Sequence, residues 1–301
     1  MAVNDNAPVD DDLNRMRKTT VIKTFVLFLV MALLASVVSV FIVFGVMIAK
    51  GGMRLVIGAD GGLNPALIKW STMLTMLMTP LCSLLVLLPR KTKTIIRADN
   101  GLGLGVRGLH GRLGTRSEAS AWLKSIGVGL LVMVVIMLTL QVVGGIGNAV
   151  IRAMGGSPST TSNQTTQDII NAMKASLGNG HAMEIVLMVL MAGVLGPFVE
   201  EVVFRGVIAR SLVKSDFLVG RFGNGRMRTF LACLVSGLLF GLAHIMSTDL
   251  TFSWMNVLTV LVTWGLGTVL SWLAAVKYDS LWPGIFAHVS YNTTSLLISL
   301  L

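Results

Sequence analysis

Long apolar runs separated by short polar segments dominate the chain from Phe25 onward. Crossing the hydrocarbon core of a bilayer takes about 20 residues of apolar helix. Seven runs approach or exceed this length, and each predicts a transmembrane helix. They are Phe25–Ala49, Ser71–Leu88, Ala121–Ile146, Met183–Leu212, Phe230–Met246, Phe252–Val276 and Leu281–Leu301. The pattern therefore predicts an all-α fold, a polytopic transmembrane helical bundle.

The same pattern divides the chain into three parts. Residues 1–20 form a polar tail that we predict to be disordered, residues 21–180 hold three spans and a basic cytoplasmic loop, and residues 181–301 hold the remaining spans. The first apolar run lacks a small-residue cleavage site, which indicates a retained signal-anchor and not a removed signal peptide.

Composition and charge agree with a membrane protein and predict its orientation. Hydrophobic residues make up 54% of the 301 positions and charged residues 13%. With the N-terminus in the cytoplasm, about 18 of the 24 Lys and Arg residues lie in cytoplasmic segments, as the positive-inside rule describes. We expect a multi-pass protein of the cell (plasma) membrane, with its N-terminus inside. Its basic charge is dispersed between spans without interleaved aromatics, so we expect the lipid bilayer as a partner and no nucleic acid.

Two loops carry patterns that we interpret without assigning chemistry to them. Gly103, Gly105 and Gly108 form a G-x-G-x-x-G in the inner loop. A dinucleotide site requires a strand before this motif and a helix after it, and neither is visible in the sequence, so we predict a flexible basic loop. The stretch Gly156–Asp168 is rich in Ser, Thr, Asn and Gln and predicts an outer loop.

Five ionisable side chains lie well inside the predicted spans, all in the last third of the chain. A charge at bilayer depth costs roughly 2.5–3.5 kcal/mol on insertion scales, so such residues need a partner or a function. They are Glu200, Glu201, Arg205, His244 and His288.

The first group follows Pro197, which tends to kink a helix. Arg205 comes four residues after Glu201, so the two share a helix face in the favourable acid-before-base order. Glu200 is turned about 100° away. One carboxylate thus has a partner in the sequence and the other does not. The alternative is that both glutamates anchor the helix end at the interface.

The other two groups come from the later spans. His244 ends the motif Phe240-x-x-x-His244, where a lone histidine can also serve only to bond a neighbouring helix. His288 and Asn292 are one turn apart after a Ser-Leu-Trp-Pro helix start, and we expect them to face a shared target. At 1.5 Å per residue, all three groups reach similar depths in the cytoplasmic half to the middle of the bilayer.

This ordered set, E-E-x-x-x-R, F-x-x-x-H and H-x-x-x-N on three helices, resembles the CPBP (CAAX-processing and bacteriocin-processing) family of intramembrane endopeptidases. The resemblance spans roughly residues 181–301, and all three motifs are complete. It implies cleavage of a membrane-associated protein or peptide by a water that Glu200 activates together with His244. It further implies that His288 and Asn292 donate to the oxyanion, while Glu201 with Arg205 forms a structural ion pair, although both glutamates are essential in some accounts of the family.

Three alternatives remain open. Glu200, His244 and His288 are also suitable ligands for a catalytic zinc ion; we favour a mechanism without a cofactor, because the chain has neither an H-E-x-x-H motif nor a thiolate near these residues. A non-catalytic membrane scaffold or regulator of the same fold is the second alternative. A transporter is the third, and it predicts polar residues in two repeated halves, whereas here they lie in one half.

Overall fold

The computed structural model describes residues 18–58, 61–87, 103–104, 117–153, 155, 164–213, 225–244 and 254–301. Within these ranges, extended chain pairs only at one isolated antiparallel bridge, between Ile57 and Leu63. All regular elements that they contain are helical. The eight main helices are α1 (Lys18–Gly51), α2 (Pro65–Ser83), α3 (Glu118–Ala153), α4 (Gln164–Gly178), α5 (Ala182–Val213), α6 (Arg226–Ala243), α7 (Trp254–Trp272) and α8 (Trp282–Ile298). The predicted all-α polytopic bundle is confirmed.

Several of these helices are long and apolar enough to cross a membrane. Among the described residues, five stretches meet that criterion, and they match the predicted first, third, fourth, fifth and sixth spans. Helix α2, with 19 residues, begins at Pro65 and overlaps the predicted second span, and α8, with 17 residues, lies within the predicted seventh span. That both cross the bilayer, giving seven spans with the N-terminus inside, stays a prediction.

Two predicted boundaries are wrong. Helix α1 already begins at Lys18, inside the tail that we predicted to be disordered; residues 1–17 lie outside the described part of the chain. Helix α4 begins at Gln164, inside the predicted loop Gly156–Asp168. Its inward face carries Ile169, Met173 and Ser176, all buried at helical spacing. The polar composition before these residues concealed the helical period.

Helix α5 departs from α-helical geometry on both sides of Pro197. A π-helical segment covers Val189–Leu195, and a second one covers Glu201–Ala209. Proline removes one backbone donor, and π segments are rare and frequently occur at functional sites. The second segment is held from outside, because the Ser236 hydroxyl of α6 donates to the Phe204 carbonyl at 3.0 Å and receives a bond from Ser271 of α7 at 3.1 Å.

Helix α8 is packed tightly against its neighbours. A side chain at Gly129 of α3 would overlap Phe286 of α8, and a Cβ at Gly193 of α5 would lie 2.7 Å from the Thr293 hydroxyl. Small residues at such contacts let transmembrane helices approach closely, where van der Waals packing stabilises their association. This packing fixes α8, which carries His288 and Asn292, against α5, which carries the glutamates.

Candidate active site

Glu201 and Arg205 form a fully buried ion pair within the second π segment of α5. The distance from Arg205 Nη1 to Glu201 Oε1 is 3.0 Å, and neither side chain is exposed. The structure therefore contains the pair that the four-residue spacing predicts. Removing either partner from such a pair leaves an uncompensated buried charge.

His288 shares the same carboxylate oxygen. Its Nδ1 lies 2.9 Å from Glu201 Oε1, although the two residues are 87 positions apart in the chain. An ionised carboxylate only accepts hydrogen bonds, so this contact places the proton on Nδ1. The opposite ring nitrogen, Nε2, then faces Glu200, with 3.8 Å between Nε2 and Oε2. Glu201 thus fixes the orientation of the His288 ring, a contact that the sequence analysis missed.

Glu200 differs from Glu201 in its exposure. Its side chain is 30% exposed, whereas that of Glu201 is 0% exposed. The difference agrees with the predicted rotation of about 100° between adjacent helical positions. Of the two adjacent carboxylates, Glu200 is the one that a water molecule or a substrate can reach.

Phe240 connects the three motifs. The Arg205 guanidinium carbon lies 4.1 Å from the centroid of the Phe240 ring, a cation–π contact that helps to stabilise the buried cation. The ring centroids of His244 and His288 lie 4.5 Å and 5.8 Å from the same centroid. Sequence reasoning quoted this phenylalanine only as a motif letter and gave it no role.

His244 immediately follows Ala243, the last residue of α6, and it is the last described residue before position 254. Its Nδ1 is 2.8 Å from the Phe240 carbonyl oxygen. A carbonyl can only accept, so Nδ1–H donates to it, and Nε2 is the ring nitrogen left for another partner. Residues 245–250, including the predicted span end at Met246, lie outside the described residues.

Asn292 does not share a partner with His288 in this structure. Its side-chain amide donates to the Ala192 carbonyl at 3.4 Å, and the neighbouring Thr293 hydroxyl donates to the Gly193 carbonyl at 3.3 Å. Both acceptors lie in the first π segment of α5. Within the protein the two side chains contact different parts of α5, and that they face a shared target stays a prediction. The Asn292 amide has a second N–H for another acceptor.

Glu201 also depends on Gly284 for its position. A Cβ at Gly284 of α8 would lie 3.0 Å from Glu201 Oε2. Glycine therefore leaves room for the carboxylate between the two helices. Sequence reasoning missed this position, and its only signal was a glycine four residues before His288.

A second polar cluster lies at the opposite end of α5, around Glu184. This carboxylate contacts Lys69 of α2 at 2.9 Å, the Ser176 hydroxyl of α4 at 2.5 Å and His181 at 3.4 Å. These contacts fasten α4 to α2 and α5. In the part of the chain that the structure describes, no three His, Cys, Asp or Glu side chains are arranged to hold a metal ion.

The fold and the site together define a helical integral membrane protein with a buried Glu–Arg–His cluster beside a half-buried glutamate. Residues 182–294 match the family described as type II CAAX prenyl endopeptidase Rce1-like. A Bacillus subtilis (strain 168) protein named "Putative membrane peptidase YdiL" is 27% identical over 138 residues, which cover 46% of this chain and 43% of that protein. The match thus spans less than half of either chain. No solved structure matches.

The family predicted from the three motifs is confirmed by these comparisons. The matched region, residues 182–294, contains all six predicted site residues. The first three predicted spans lie outside the matched region.

Proposed function

We propose that this protein is an intramembrane endopeptidase that cleaves a membrane-associated protein or peptide. The proposal depends most on one observation, the arrangement of Glu201, His288 and Glu200. Glu201 orients the His288 ring at 2.9 Å, and the other ring nitrogen faces Glu200 at 3.8 Å. The last distance is too long for a direct hydrogen bond. Membership of a family described as an endopeptidase supports the same reaction class.

In the proposed mechanism, Glu200 is the general base. It takes a proton from a water molecule as the water oxygen attacks the carbonyl carbon of the scissile peptide bond. The protonated carboxyl then gives this proton to the departing amine as the C–N bond breaks. Glu200 thus ends in its initial protonation state, and the reaction needs no cofactor. His244, whose Nδ1–H donates to the Phe240 carbonyl, assists Glu200 through Nε2 in polarising the water.

His288 and Asn292 are the proposed oxyanion donors. Donation by His288 from both ring nitrogens requires its imidazolium form, and two carboxylates face this ring. Asn292 has one N–H directed at Ala192 and a second for the oxyanion. Such donors stabilise the charge that develops in the transition state, at about 3 kcal/mol each. Glu201 and Arg205 position His288 and do not touch the substrate.

Substrate identity requires a search in cells. The direct experiment is membrane proteomics of cells that contain the native protein or Glu200→Gln, which keeps the size of the side chain and removes the base. We expect at least one membrane protein or peptide whose cleaved form is present with the native chain and absent with the variant. Identical cleavage patterns in both cell lines would instead favour the non-catalytic scaffold.

The zinc alternative is decided on purified protein. If Glu200, His244 and His288 held a catalytic zinc ion, the protein would carry about one metal per chain, chelators would abolish cleavage and zinc would restore it. The proposed glutamate mechanism predicts cleavage that survives thorough chelation. Metal content and chelator sensitivity are measured on the same detergent-solubilised sample.

A further inference from the structure

Gly103 and Leu104, two residues of the G-x-G-x-x-G motif, contact the start of α8. The proposed function gives these two residues no role. The Gly103 carbonyl accepts a bond from the Leu281 amide at 2.9 Å. The next carbonyl, that of Leu104, accepts from the Trp282 indole nitrogen at 2.9 Å. Both donors lie at the start of α8, where the first amides of a helix have no partner within the helix. Two consecutive residues of the loop thus bond the helix that carries His288.

The same two residues also contact α5. Leu104 packs against a buried cluster of Val202, Ala274, Leu281 and Ile285, which joins α5 to α8. Gly103 lies directly against the guanidinium of Arg210 near the end of α5. Arg210 in turn pairs with Asp279, just before α8, at 2.9 Å. The segment therefore bridges the ends of the two helices that hold the glutamates and His288.

Gly103 is suited to this position for two reasons. Its φ of +76° is left-handed, a conformation in which a side chain is strained. A Cβ there would also overlap the Arg210 guanidinium. Trp282 is further fixed by aromatic contacts with Trp122 of α3 at 4.4 Å and Phe286 at 5.8 Å between ring centroids. The contact thus depends on the left-handed backbone of Gly103 and on the Trp282 indole, which neighbouring aromatic rings hold in place.

We propose that contacts among six residues, together called the latch, set the spacing of α5 and α8 and thereby position His288 against Glu201. The latch residues are Gly103, Leu104, Arg210, Asp279, Leu281 and Trp282. The latch residues Arg210 and Leu281 are nine and seven residues from Glu201 and His288 along their helices. A shift of packed helices by about 1–2 Å is a common conformational change, and a misplacement of about 1 Å in an active site can reduce turnover on the order of 100-fold. Gly103 and Leu104, which lie outside the family-matched region, are by this proposal positioning residues of the site.

Two variants break the latch, and the chain offers a matched control for each. Trp282→Phe keeps an aromatic ring and removes the indole donor to Leu104. Its control is Trp264→Phe, which removes an indole bond of the same 2.9 Å length, to the Leu234 carbonyl. Gly103→Ala introduces strain and overlap. Its control is Gly61→Ala, where φ is +81° but a Cβ meets nothing within 4 Å.

The first readout is independent of activity. In full-length protein with ¹⁵N-labelled histidine, the Nδ1–H of His288 gives a downfield signal from its bond to Glu201, assigned among the chain's four histidines by its loss in His288→Gln. We expect this signal to shift or vanish in both latch variants and to persist in both controls. An unchanged signal in Trp282→Phe overturns the latch, and this conservative variant decides alone if Gly103→Ala does not fold.

The second readout is kinetic and rests on the proposed function. Once a substrate is known, kcat should fall about 10- to 100-fold in the latch variants with KM little changed, and the controls should keep native kcat. Native kcat in Trp282→Phe despite a shifted His288 signal refutes the catalytic part of the latch. Absence of cleavage by the native protein refutes the proposed function alone, because the His288 signal still tests the latch.

Discussion

At the scale of single residues, one oxygen atom of Glu201 serves two partners. Oε1 contacts Arg205 Nη1 at 3.0 Å and His288 Nδ1 at 2.9 Å. The first contact is an ion pair and the second is a hydrogen bond, so the same oxygen neutralises the buried cation and orients the imidazole ring. Glu201 is therefore a positioning residue, and Glu200 is the carboxylate that we propose as the general base.

Removing Arg205 should harm folding more than chemistry. Arg205→Ala leaves Glu201 buried without its cation, a loss on the order of 3–5 kcal/mol. We expect little folded protein from this variant, measured by size-exclusion chromatography of the solubilised chain. The double variant Glu201→Gln with Arg205→Gln removes both charges and should recover part of the protein level. No recovery would count against the ion pair as the cause.

A methyl group at Gly284 should displace Glu201. Gly284→Ala puts a Cβ 3.0 Å from Glu201 Oε2, which is tighter than ordinary contact. We expect weaker His288 orientation and a clear loss of turnover. Gly265→Ala in α7 is the matched control, because a Cβ there meets nothing within 4 Å and alanine favours helix over glycine by about 1 kcal/mol. Equal turnover in the two variants would show that Glu201 tolerates displacement.

Asn292 offers a test of oxyanion stabilisation. If its second N–H reaches the oxyanion, Asn292→Ala should lower kcat by roughly 100-fold or more with little change in KM, since the bond strengthens mainly in the transition state. The control is Thr293→Val, which removes the neighbouring bond to the Gly193 carbonyl. A similar loss in both variants would indicate that Asn292 acts only by fastening α8 to α5.

At the scale of elements, the sequence predicts local relations well and long-range contacts poorly. The Glu201–Arg205 pair follows from a spacing of four residues, which brings side chains together on one helix. The His288–Glu201 contact joins residues 87 apart. This contact depends on the π segment of α5, on the space at Gly284 and on the tight packing of α8. The hydropathy pattern of the sequence predicts none of these three features.

Helix α4 shows the same limit in a different way. Its N-terminal half has loop composition, and only the spacing of Ile169, Met173 and Ser176 marks an inward face. The contacts that hold it converge on Glu184, from residues of α2 and α4 that are far apart in the sequence. Contacts with other helices therefore stabilise α4, although the local sequence at its start is typical of a loop.

At the scale of the whole molecule, the distribution of Lys and Arg predicts which side the site opens to. With the N-terminus inside, a cysteine introduced at Thr92 or Asn224 should react with an impermeant reagent only from the cytoplasmic side. A cysteine at Ser162 should react only from the outside. Labelling of intact cells and inverted vesicles distinguishes these outcomes. The reverse pattern would overturn the orientation and the cytoplasmic access to Glu200.

The most direct test of Glu200 as the general base is the cleavage rate of Glu200→Gln in reconstituted membranes. The matched control is Glu184→Gln, the same change in another carboxylate of α5, one that contacts Lys69 and Ser176 away from the site. We predict that Glu200→Gln inserts and folds normally but cleaves no faster than background, while Glu184→Gln cleaves near the native rate. Native cleavage by Glu200→Gln would contradict the proposed mechanism.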